Sequence, residues 1–326
     1  MEKELKWAVL GTGVIANEMA QALQKMGKKL YAVANRTYDK AVEFAEKYGA
    51  EKVYEKIDDM FTDKESDIIY ITTPHNTHIK FMLEALKNGK HVLCEKSITL
   101  NSEELEEAVK IAKEKNLILG EAMTIFNMPL YTKLSDIVNS GKLGDVKMIQ
   151  VNFGSYKEYD MNNRFFNRNL AGGALLDIGV YAISITRLFM TSKPDNVLSQ
   201  VKYAPTGVDE QVGIIMMNKE QQMSTIALTL HSKQPKRVVI ACEKAYIEVL
   251  EYPRADKAKI VYTETGEIEE IEEGITENAL QYEMQNMEKS VKSGINQMKL
   301  EYTRDVMDIM TNLRKEWGMT YPEEEK

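Results

Sequence analysis

The chain has 326 residues, of which 44% are hydrophobic and 28% are charged, and its formal net charge is −8 at neutral pH. This composition is typical of soluble globular proteins, and the acidic balance argues against a nucleic-acid-binding surface. The length exceeds what one small hydrophobic core serves, so we expect two domains.

Features that bear on location and metals are few. No apolar run approaches the ~20 residues that span a bilayer, and the first four residues do not resemble a signal peptide. Cys94 and Cys242 are the only cysteines, which fits a reducing cytosol without a disulfide framework. No spacing of Cys and His residues indicates a zinc site. We therefore expect a cytoplasmic protein with no metal and no membrane segment.

A short apolar run, Trp7 to Leu10, leads directly into a turn of small residues with the form G-x-G-x-x-A. Gly11 permits the tight turn, Gly13 lets a pyrophosphate approach the backbone, and Ala16 lets the next helix pack closely on the strand. The free N–H groups and positive dipole at the start of that helix favour phosphate. The pattern predicts a dinucleotide site, with a methyltransferase-like glycine loop as the alternative. The residues expected at the phosphates are Gly11, Gly13, Val14 and Ile15.

The first ~120 residues alternate predicted strands and helices, which indicates a parallel sheet covered on both faces. The second strand, Leu30–Ala34, ends in Asn35 and Arg36 rather than in the acidic residue expected of an NAD-specific site. The next carboxylate is that of Asp39. A guanidinium at this place can bind a ribose 2′-phosphate through two hydrogen bonds. Asn35 and Arg36 therefore predict a preference for NADP(H); the alternative is that Arg36 is a solvated loop charge.

A second turn follows the strand Asp67–Thr72, at the edge of the sheet where ligands bind. Its sequence is Thr73-Pro74-His75-Asn76-Thr77-His78. Pro74 fixes the turn, and Asn76 can cap the helix that follows. His75 and His78 have no metal-ligand partner near them in sequence, so we expect hydrogen-bonded structural roles for both.

A lysine follows the strand His91–Cys94, in the sequence Glu95-Lys96-Ser97. A lysine at the end of an inner parallel strand is costly unless it faces a cleft, which makes Lys96 a candidate site residue. Glu95 is expected on the opposite side of the strand. A helix with a Ser-x-x-Glu-like start at Ser102 and a strand at 117–121 complete the first domain. From these two turns, the residues expected at the cofactor are Thr73, Pro74, Asn76, His78, Glu95 and Lys96.

Residues 1–122 are therefore assigned to a Rossmann dinucleotide-binding domain, and residues 123–326 to an α+β domain with a large, mostly antiparallel sheet. Its irregular aromatic segment Tyr156–Leu170 is expected at the rim of a cleft, and the acidic run Glu267–Glu273 in a solvated hairpin. The segments 278–293 and 302–317 are predicted to be amphipathic helices. The predicted strands are Val146–Phe153, Asn196–Tyr203, Glu210–Met217, Gln222–Leu230, Lys236–Cys242, Ala245–Val249 and Lys259–Tyr262.

The glycine pair Gly172-Gly173 precedes a predicted helix that carries Asp177 and Tyr181. These two residues are four positions apart and therefore share one helix face. From the residues alone, Asp177 could serve the helix dipole, and Tyr181 could fill the core with its hydroxyl hydrogen-bonded.

In combination, these motifs resemble the Gfo/Idh/MocA oxidoreductase family over nearly the whole chain. The resemblance rests on Gly11-x-Gly13-x-x-Ala16, Thr73-Pro74-x-x-x-His78, Glu95-Lys96 and Gly172-Gly173-Ala174-Leu175-Leu176-Asp177-Ile178-Gly179-Val180-Tyr181. The last run, with Arg164-Phe165-Phe166 and Thr206-Gly207-Val208-Asp209-Glu210-Gln211, is most similar to the dihydrodiol dehydrogenase and D-xylose dehydrogenase branch. That branch carries tyrosine where many relatives have histidine.

Two departures from the family pattern bear on the site. The family usually has proline after Glu-Lys, often in a cis bond, whereas Ser97 stands here, and a cis bond before a residue other than proline costs ~3 kcal/mol. Animal members of the branch carry Trp-Thr-Arg after Glu-Ala-Met, whereas Thr124-Ile125-Phe126 follows here. The second departure argues against an aromatic dihydrodiol as the substrate.

The resemblance implies hydride transfer between a nicotinamide and a sugar, polyol or related vicinal diol or carbonyl compound. Tyr181 would be the general acid/base. Lys96 would lower the phenol's pKa from its ordinary value of ~10 and hold the substrate oxygen. Asp177 would orient the substrate hydroxyl or the lysine. The expected cofactor is NADP(H), with NAD as the alternative.

The resemblance also implies a homodimer formed through the open face of the large sheet, and a last helix that returns to the first domain. Two other functions remain open at this point. One is a dinucleotide- or sugar-sensing protein without turnover. The other is an enzyme of the same fold that uses tightly bound NAD(P) transiently, for glycosidic cleavage or internal redox exchange.

Overall fold

The computed structural model describes residues 4–325, and the chain divides into two compact units. The first unit runs to Ala122 and also includes Leu280–Leu300, and the second comprises Met123–Ala279 and the residues from Glu301 onward. The N-terminal part of the first unit ends at Ala122, and the assignment of residues 1–122 and 123–326 to two functional domains stays a prediction. Of the two predicted C-terminal helices, the earlier belongs to the first unit and the later to the second. That the last helix packs against the first domain stays a prediction.

The first unit is built on a six-stranded parallel sheet with the strand order β3-β2-β1-β4-β5-β6. Its strands are β1 (Trp7–Leu10), β2 (Ala32–Ala34), β3 (Lys52–Tyr54), β4 (Ile68–Ile71), β5 (His91–Glu95) and β6 (Leu119–Ala122). Its first five helices are α1 (Val14–Lys25), α2 (Tyr38–Tyr48), α3 (Ile57–Thr62), α4 (His78–Lys87) and α5 (Ser102–Glu114). Every residue of β1 and β4 is buried, as in a parallel sheet covered on both faces. The Rossmann-like α/β architecture predicted from the glycine turn is therefore confirmed.

Two helix caps in this unit differ from the sequence prediction, although α5 begins at Ser102 as predicted. The N-cap of α5 is Asn101, not Ser102: its side chain accepts a hydrogen bond from Glu104 N, and the Glu104 carboxylate accepts one from Leu100 N at 3.0 Å. Helix α4 begins only at His78, after a 3₁₀ turn over His75–Thr77, and no side chain caps it. Asn76 is therefore not the cap of α4, because the intervening turn places it one position too early.

The second unit is built on an eight-stranded sheet with the order β14-β13-β12-β11-β7-β10-β9-β8. Only β7 and β10 pair in parallel, and the other neighbours are antiparallel, as predicted. The strands are β7 (Val146–Gly154), β8 (Asn196–Tyr203), β9 (Asp209–Met217), β10 (Met223–Thr229), β11 (Gln234–Cys242), β12 (Ala245–Leu250), β13 (Lys257–Tyr262) and β14 (Ile268–Glu272). The helices are α6 (Thr124–Asn127), α7 (Pro129–Asn139) and α8 (Val180–Phe189), followed along the chain by α9 (Ala279–Ser293) and α10 (Leu300–Glu316).

Helix α8 packs on β7 and β10 and is the central helix of the second unit. It ends a helical stretch, Arg168–Phe189, which contains an 18-residue window with a mean hydropathy of 1.3, high enough for a membrane span by length and composition. The sequence analysis did not expect such a stretch. Since 78% of that window is buried inside the protein, the stretch has the properties of a core helix.

Candidate active site

The glycine turn leaves the start of α1 open to a ligand. Gly11 has φ +110°, and a Cβ added to it would lie 2.5 Å from Thr72 Oγ1, so the tight turn needs glycine. Gly13 is the N-cap of α1, where no side chain forms a cap hydrogen bond, and a Cβ added there would meet no atom within 4 Å. Val14, the first helical residue, is 80% exposed. This uncapped, open helix start fits the pyrophosphate of a dinucleotide.

The end of β2 presents a cation and no carboxylate. The Asn35 side chain donates a hydrogen bond to Thr37 O at 3.1 Å and so shapes the turn. Arg36 follows it and is exposed. It forms no ion pair with any residue between 4 and 325, and the nearest acidic residue along the chain, Asp39, lies in the first turn of α2. The guanidinium is therefore available to an anionic group.

Two histidines connect the turn after β4 to the loop that follows β5 and begins with Lys96, which we call the lysine loop. His75 Nε2 lies 3.0 Å from Lys96 O, and His78 Nδ1 lies 3.0 Å from Ser97 O. His78 Nε2 lies 2.7 Å from Thr73 O, and its ring is fully buried. Both histidines thus have the hydrogen-bonded roles that we expected. That His78 also lies at the cofactor stays a prediction.

The charge state of His78 is set by two opposing effects. Burial lowers the pKa of His78 below its ordinary value, whereas the hydrogen bonds to the carbonyl groups of Thr73 and Ser97 oppose that shift. A neutral imidazole donates through only one nitrogen. The neutral ring therefore satisfies one of its two carbonyl neighbours at a time.

The lysine loop is supported from both sides of the strand end. Glu95, the last residue of β5, accepts a hydrogen bond from the Tyr70 hydroxyl. The peptide bond between Lys96 and Ser97 is cis, so the chain keeps at serine the bond conformation that the family often has at proline. The next residue, Ile98, donates its N–H to the fully buried Glu121 carboxylate at 3.2 Å. The sequence analysis missed this role of Glu121, although a carboxylate inside a buried strand could have indicated it.

The second unit carries the other two predicted catalytic residues on one helical segment. A π-helical turn over Leu175–Gly179 runs directly into α8, and such turns are frequent at functional sites. Asp177 lies in the π turn and is 8% exposed, and Tyr181 is half-buried near the start of α8. We call the segment from Leu175 to Phe189 the site helix. The Tyr181 ring lies 6.1 Å from the ring of Phe153 on β7, measured between centroids.

The rim segment also reaches Asp177. Arg164 Nη2 lies 3.7 Å from Asp177 Oδ1, and the Arg164 guanidinium lies over the Phe165 ring at 4.2 Å. Lys157 Nζ is also 4.2 Å from the centroid of that ring. Arg164 is 61% exposed in its side chain. The nearly buried Asp177 carboxylate therefore has an exposed cation of the rim segment within ion-pair distance.

Among the described residues, no three His, Cys, Asp or Glu side chains cluster as metal ligands. The first unit thus has an open, uncapped helix start and a lysine loop, and the second has a buried carboxylate and a tyrosine on one helical segment. Together they define a two-domain α/β protein of the dinucleotide-dependent dehydrogenase class.

The comparisons with known proteins assign that class to a family. Residues 5–123 match the family described as "Oxidoreductase family, NAD-binding Rossmann fold", GFO_IDH_MocA, and residues 131–248 match the GFO/IDH/MocA C-terminal domain. The chain belongs to the Gfo/Idh/MocA family and is an NAD(P)-dependent oxidoreductase, which confirms the resemblance seen in its motifs.

Similar proteins cover almost the full length of the chain. The trans-1,2-dihydrobenzene-1,2-diol dehydrogenase of Xenopus laevis is 29% identical in an alignment of 332 positions that covers 97% of this chain and 99% of that protein. The 3-ketoreductase KijD10 from Actinomadura kijaniata, in complex with NADP and TDP-benzene, has a TM-score of 0.84 at 19% identity and covers 95% of this chain and 96% of its own. Levoglucosan dehydrogenase, in complex with NADH and levoglucosan, has a TM-score of 0.83 at 17% identity, with 95% and 98% covered. At these identities the two structures establish the fold.

Proposed function

We propose that the chain is an NADP(H)-preferring oxidoreductase that transfers a hydride to or from a sugar, polyol or related vicinal diol or carbonyl compound. The observation that carries the proposal is the pairing of Asp177 and Tyr181 on the site helix of an NAD(P)-dependent oxidoreductase. A sensor has no need to retain a proton carrier such as Tyr181. The names of similar proteins support the substrate class, since these are a trans-1,2-dihydrobenzene-1,2-diol dehydrogenase, a 3-ketoreductase and a levoglucosan dehydrogenase.

The residues of the chain would handle one proton while the bound cofactor supplies or accepts the hydride. Tyr181 donates its phenolic proton to the substrate oxygen during reduction and removes it during oxidation. Lys96, as a cation, favours the phenolate form and donates a hydrogen bond where negative charge develops on oxygen. Asp177 accepts a hydrogen bond from a substrate hydroxyl or from the lysine. That Lys96 and Tyr181 act on one substrate is the central part of this proposal.

Among the expected cofactor residues, Arg36 carries the preference for NADP(H). Its exposed guanidinium follows Asn35, the first residue after β2, and no carboxylate stands there to bind a ribose 2′-hydroxyl. Arg36→Asp should lower the ratio of kcat/KM with NADP to kcat/KM with NAD by about 10- to 100-fold, the value of one charge-assisted contact. Lys110→Asp, a charge reversal at an exposed position on α5, is the matched control. An unchanged ratio in Arg36→Asp would contradict the preference.

The substrate class is tested by nicotinamide absorbance with NADP and NAD over aldoses, inositols and vicinal diols. We expect turnover with at least one of these compounds and a higher kcat/KM with NADP. Mass spectrometry of cofactor retained through purification separates ordinary turnover from transient use of a tightly bound cofactor. Absence of turnover across all compounds with both cofactors would contradict the proposal.

A second copy of this chain is the proposed partner, and its contact surface is the open face of the second unit's sheet. Leu198 on β8 pairs directly with Ile215 on β9, and both are exposed, at 62% and 46%. Towards the opposite edge of the same face, Tyr246 pairs with Val261, and Val261 pairs with the exposed Ile268. Aligned exposed apolar residues of this kind mark an interaction surface. The proposal therefore includes a homodimer. It also includes a cytoplasmic location, which the two free cysteines favour.

A further inference from the structure

A buried carboxylate lies against the start of the site helix. Asp209, the first residue of β9, is 0% exposed. Its Oδ2 accepts a hydrogen bond from the backbone N–H of Leu175 at 2.6 Å. Leu175 is the first residue of the π turn that contains Asp177. Asp209 therefore satisfies a backbone donor at the positive end of the helix that carries the proposed catalytic pair.

The glycine before the site helix is shaped to admit this carboxylate. Gly173 has φ +125°, a conformation that side chains rarely adopt. A Cβ added to Gly173 would lie 2.1 Å from Asp209 Oδ1, far inside contact distance. Glycine at this position and aspartate on β9 are thus matched, although they are 36 positions apart in the sequence.

The C-terminal part of the second unit closes the other side of the same turn. The Tyr321 hydroxyl donates a hydrogen bond to Gly172 O at 2.7 Å. The Arg314 guanidinium lies 4.7 Å from the centroid of the Tyr321 ring and is paired with the Glu324 carboxylate at 2.7 and 2.8 Å. Arg314 therefore acts on Asp209 through its field rather than through an ion pair. Asp209 Oδ1 has no hydrogen-bond partner among residues 4–325.

We propose that Asp209 is a positioning residue for the reaction: its ionised carboxylate fixes the start of the site helix and so sets the orientation of Asp177 and Tyr181. This inference rests on the proposed function, since it gives Asp209 a role in the same proton transfer. Asp209 touches neither substrate nor cofactor in this account. It acts through the Leu175 N–H and the helix that follows.

The charge of Asp209 changes near neutral pH. Burial raises the pKa of Asp209 to about 7, although the backbone N–H groups of Leu175 and Ala174 and the charge of Arg314 oppose that shift. The other ionisable group that faces it, Tyr321, has its pKa raised well above its ordinary value, chiefly by burial, and stays neutral. Glu324 remains paired with Arg314. The fraction of site helices held by an ionised carboxylate should therefore increase with pH through about 7.

The neighbouring residue Glu210 provides a matched control. It is also buried, at 1% exposed, but its carboxylate accepts hydrogen bonds from Lys202 Nζ and from the Tyr159 hydroxyl, both at 2.7 Å. Burial opposes its charge, yet these contacts outweigh burial and lower the pKa of Glu210. Glu210→Gln removes a buried charge one residue away without touching the site helix.

The test compares the pH profiles of kcat for the full-length protein, Asp209→Asn and Glu210→Gln, with the sugar or diol that the substrate panel identifies. We expect kcat of the unaltered protein to rise through about pH 7, and that of Glu210→Gln to follow the same curve. In Asp209→Asn, kcat should no longer rise with pH through about 7. It should also be about tenfold lower than in the unaltered protein, because small misplacements of reacting groups are costly. Its dissociation constant for NADP(H) should stay unchanged, because the glycine turn lies in the first unit. If Asp209→Asn had the kcat of the unaltered protein and the same rise of kcat through about pH 7, the proposal would be overturned.

Amide hydrogen exchange at a single pH supplies a readout that needs no substrate. Peptides covering 172–181 should exchange faster in Asp209→Asn than in Glu210→Gln. Equal exchange in the two variants would overturn the proposal even where turnover exists. Faster exchange with no turnover of any compound by the unaltered protein would instead refute the proposed function. Should Asp209→Asn fail to fold, the unaltered protein alone still tests the role of Asp209. A kcat that does not rise through about pH 7 would refute that role.

Discussion

Replacing Asp209 by asparagine should change how the free energy of unfolding depends on pH. The carboxyl pKa is raised from 3.8 to about 7 in the folded protein, with burial as the largest cause. A raised pKa means that the folded state binds the proton more tightly than the unfolded state does. The resulting stabilisation is fully present below about pH 4 and is lost as the pH rises to about 7.

The size of this effect follows from the same pKa shift. At 1.36 kcal/mol per pKa unit, the whole shift corresponds to about 4 kcal/mol, of which about 3 kcal/mol falls between about pH 5 and about pH 8. Asparagine lacks the titration. The difference in unfolding free energy, Asp209→Asn minus wild type, should therefore rise by about 3 kcal/mol over that range.

The assay is urea-induced unfolding followed by tryptophan fluorescence. The chain has two tryptophans, and Trp317, which donates a hydrogen bond to Ser199 Oγ at 2.8 Å, reports on the second unit. A Trp7→Phe background removes the signal of the first unit. Glu210→Gln should show no such rise, because its carboxyl pKa is lowered. A difference for Asp209→Asn that is flat or falls with pH would refute the reasoning.

Three further experiments test separate parts of the structure. Gly173→Ala should destabilise the second unit by more than about 2 kcal/mol in the same urea assay, since it combines a strained φ with a clash. Unchanged stability would contradict the claim that Gly173 is matched to the Asp209 carboxylate. His78→Ala should lower kcat and the melting temperature of the first unit by removing contacts to two carbonyls, more than His75→Ala does. Leu198→Glu with Ile215→Glu should give a monomer in light scattering with an unchanged circular dichroism spectrum; a persisting dimer would exclude this face as the interface.

The architecture could be predicted because its signals are local. The glycine turn after an apolar run and the alternation of strands and helices sufficed for the parallel sheet. Turn residues between short alternating runs sufficed for most strands of the second unit, and Asn196–Tyr203 was predicted with its observed bounds. Strand boundaries were predicted less well where a buried residue is not paired in the sheet. Leu30 and Tyr31 are buried and were predicted as part of the second strand, yet they lie outside β2, which begins at Ala32.

What the sequence did not predict depends on contacts between distant positions. Asn101 and Ser102 are both good cap residues, and only the path of the chain decides that Asn101 is the cap of α5. The parallel pairing of β7 with β10 likewise has no signature in either strand. The motif around Asp209 was noticed as part of a resemblance, but its contact with Leu175 bridges 34 positions and became visible only in the fold.

The most direct test of the central claim is the rate of hydride transfer in a single turnover of Tyr181→Phe, with NADP(H) binding measured in parallel. If Tyr181 carries the proton, the rate should fall by about 10²- to 10⁴-fold, while the dissociation constant of NADP(H) stays within about twofold of the wild-type value because the glycine turn is untouched. A wild-type rate in Tyr181→Phe would remove this residue from the chemistry and contradict the account.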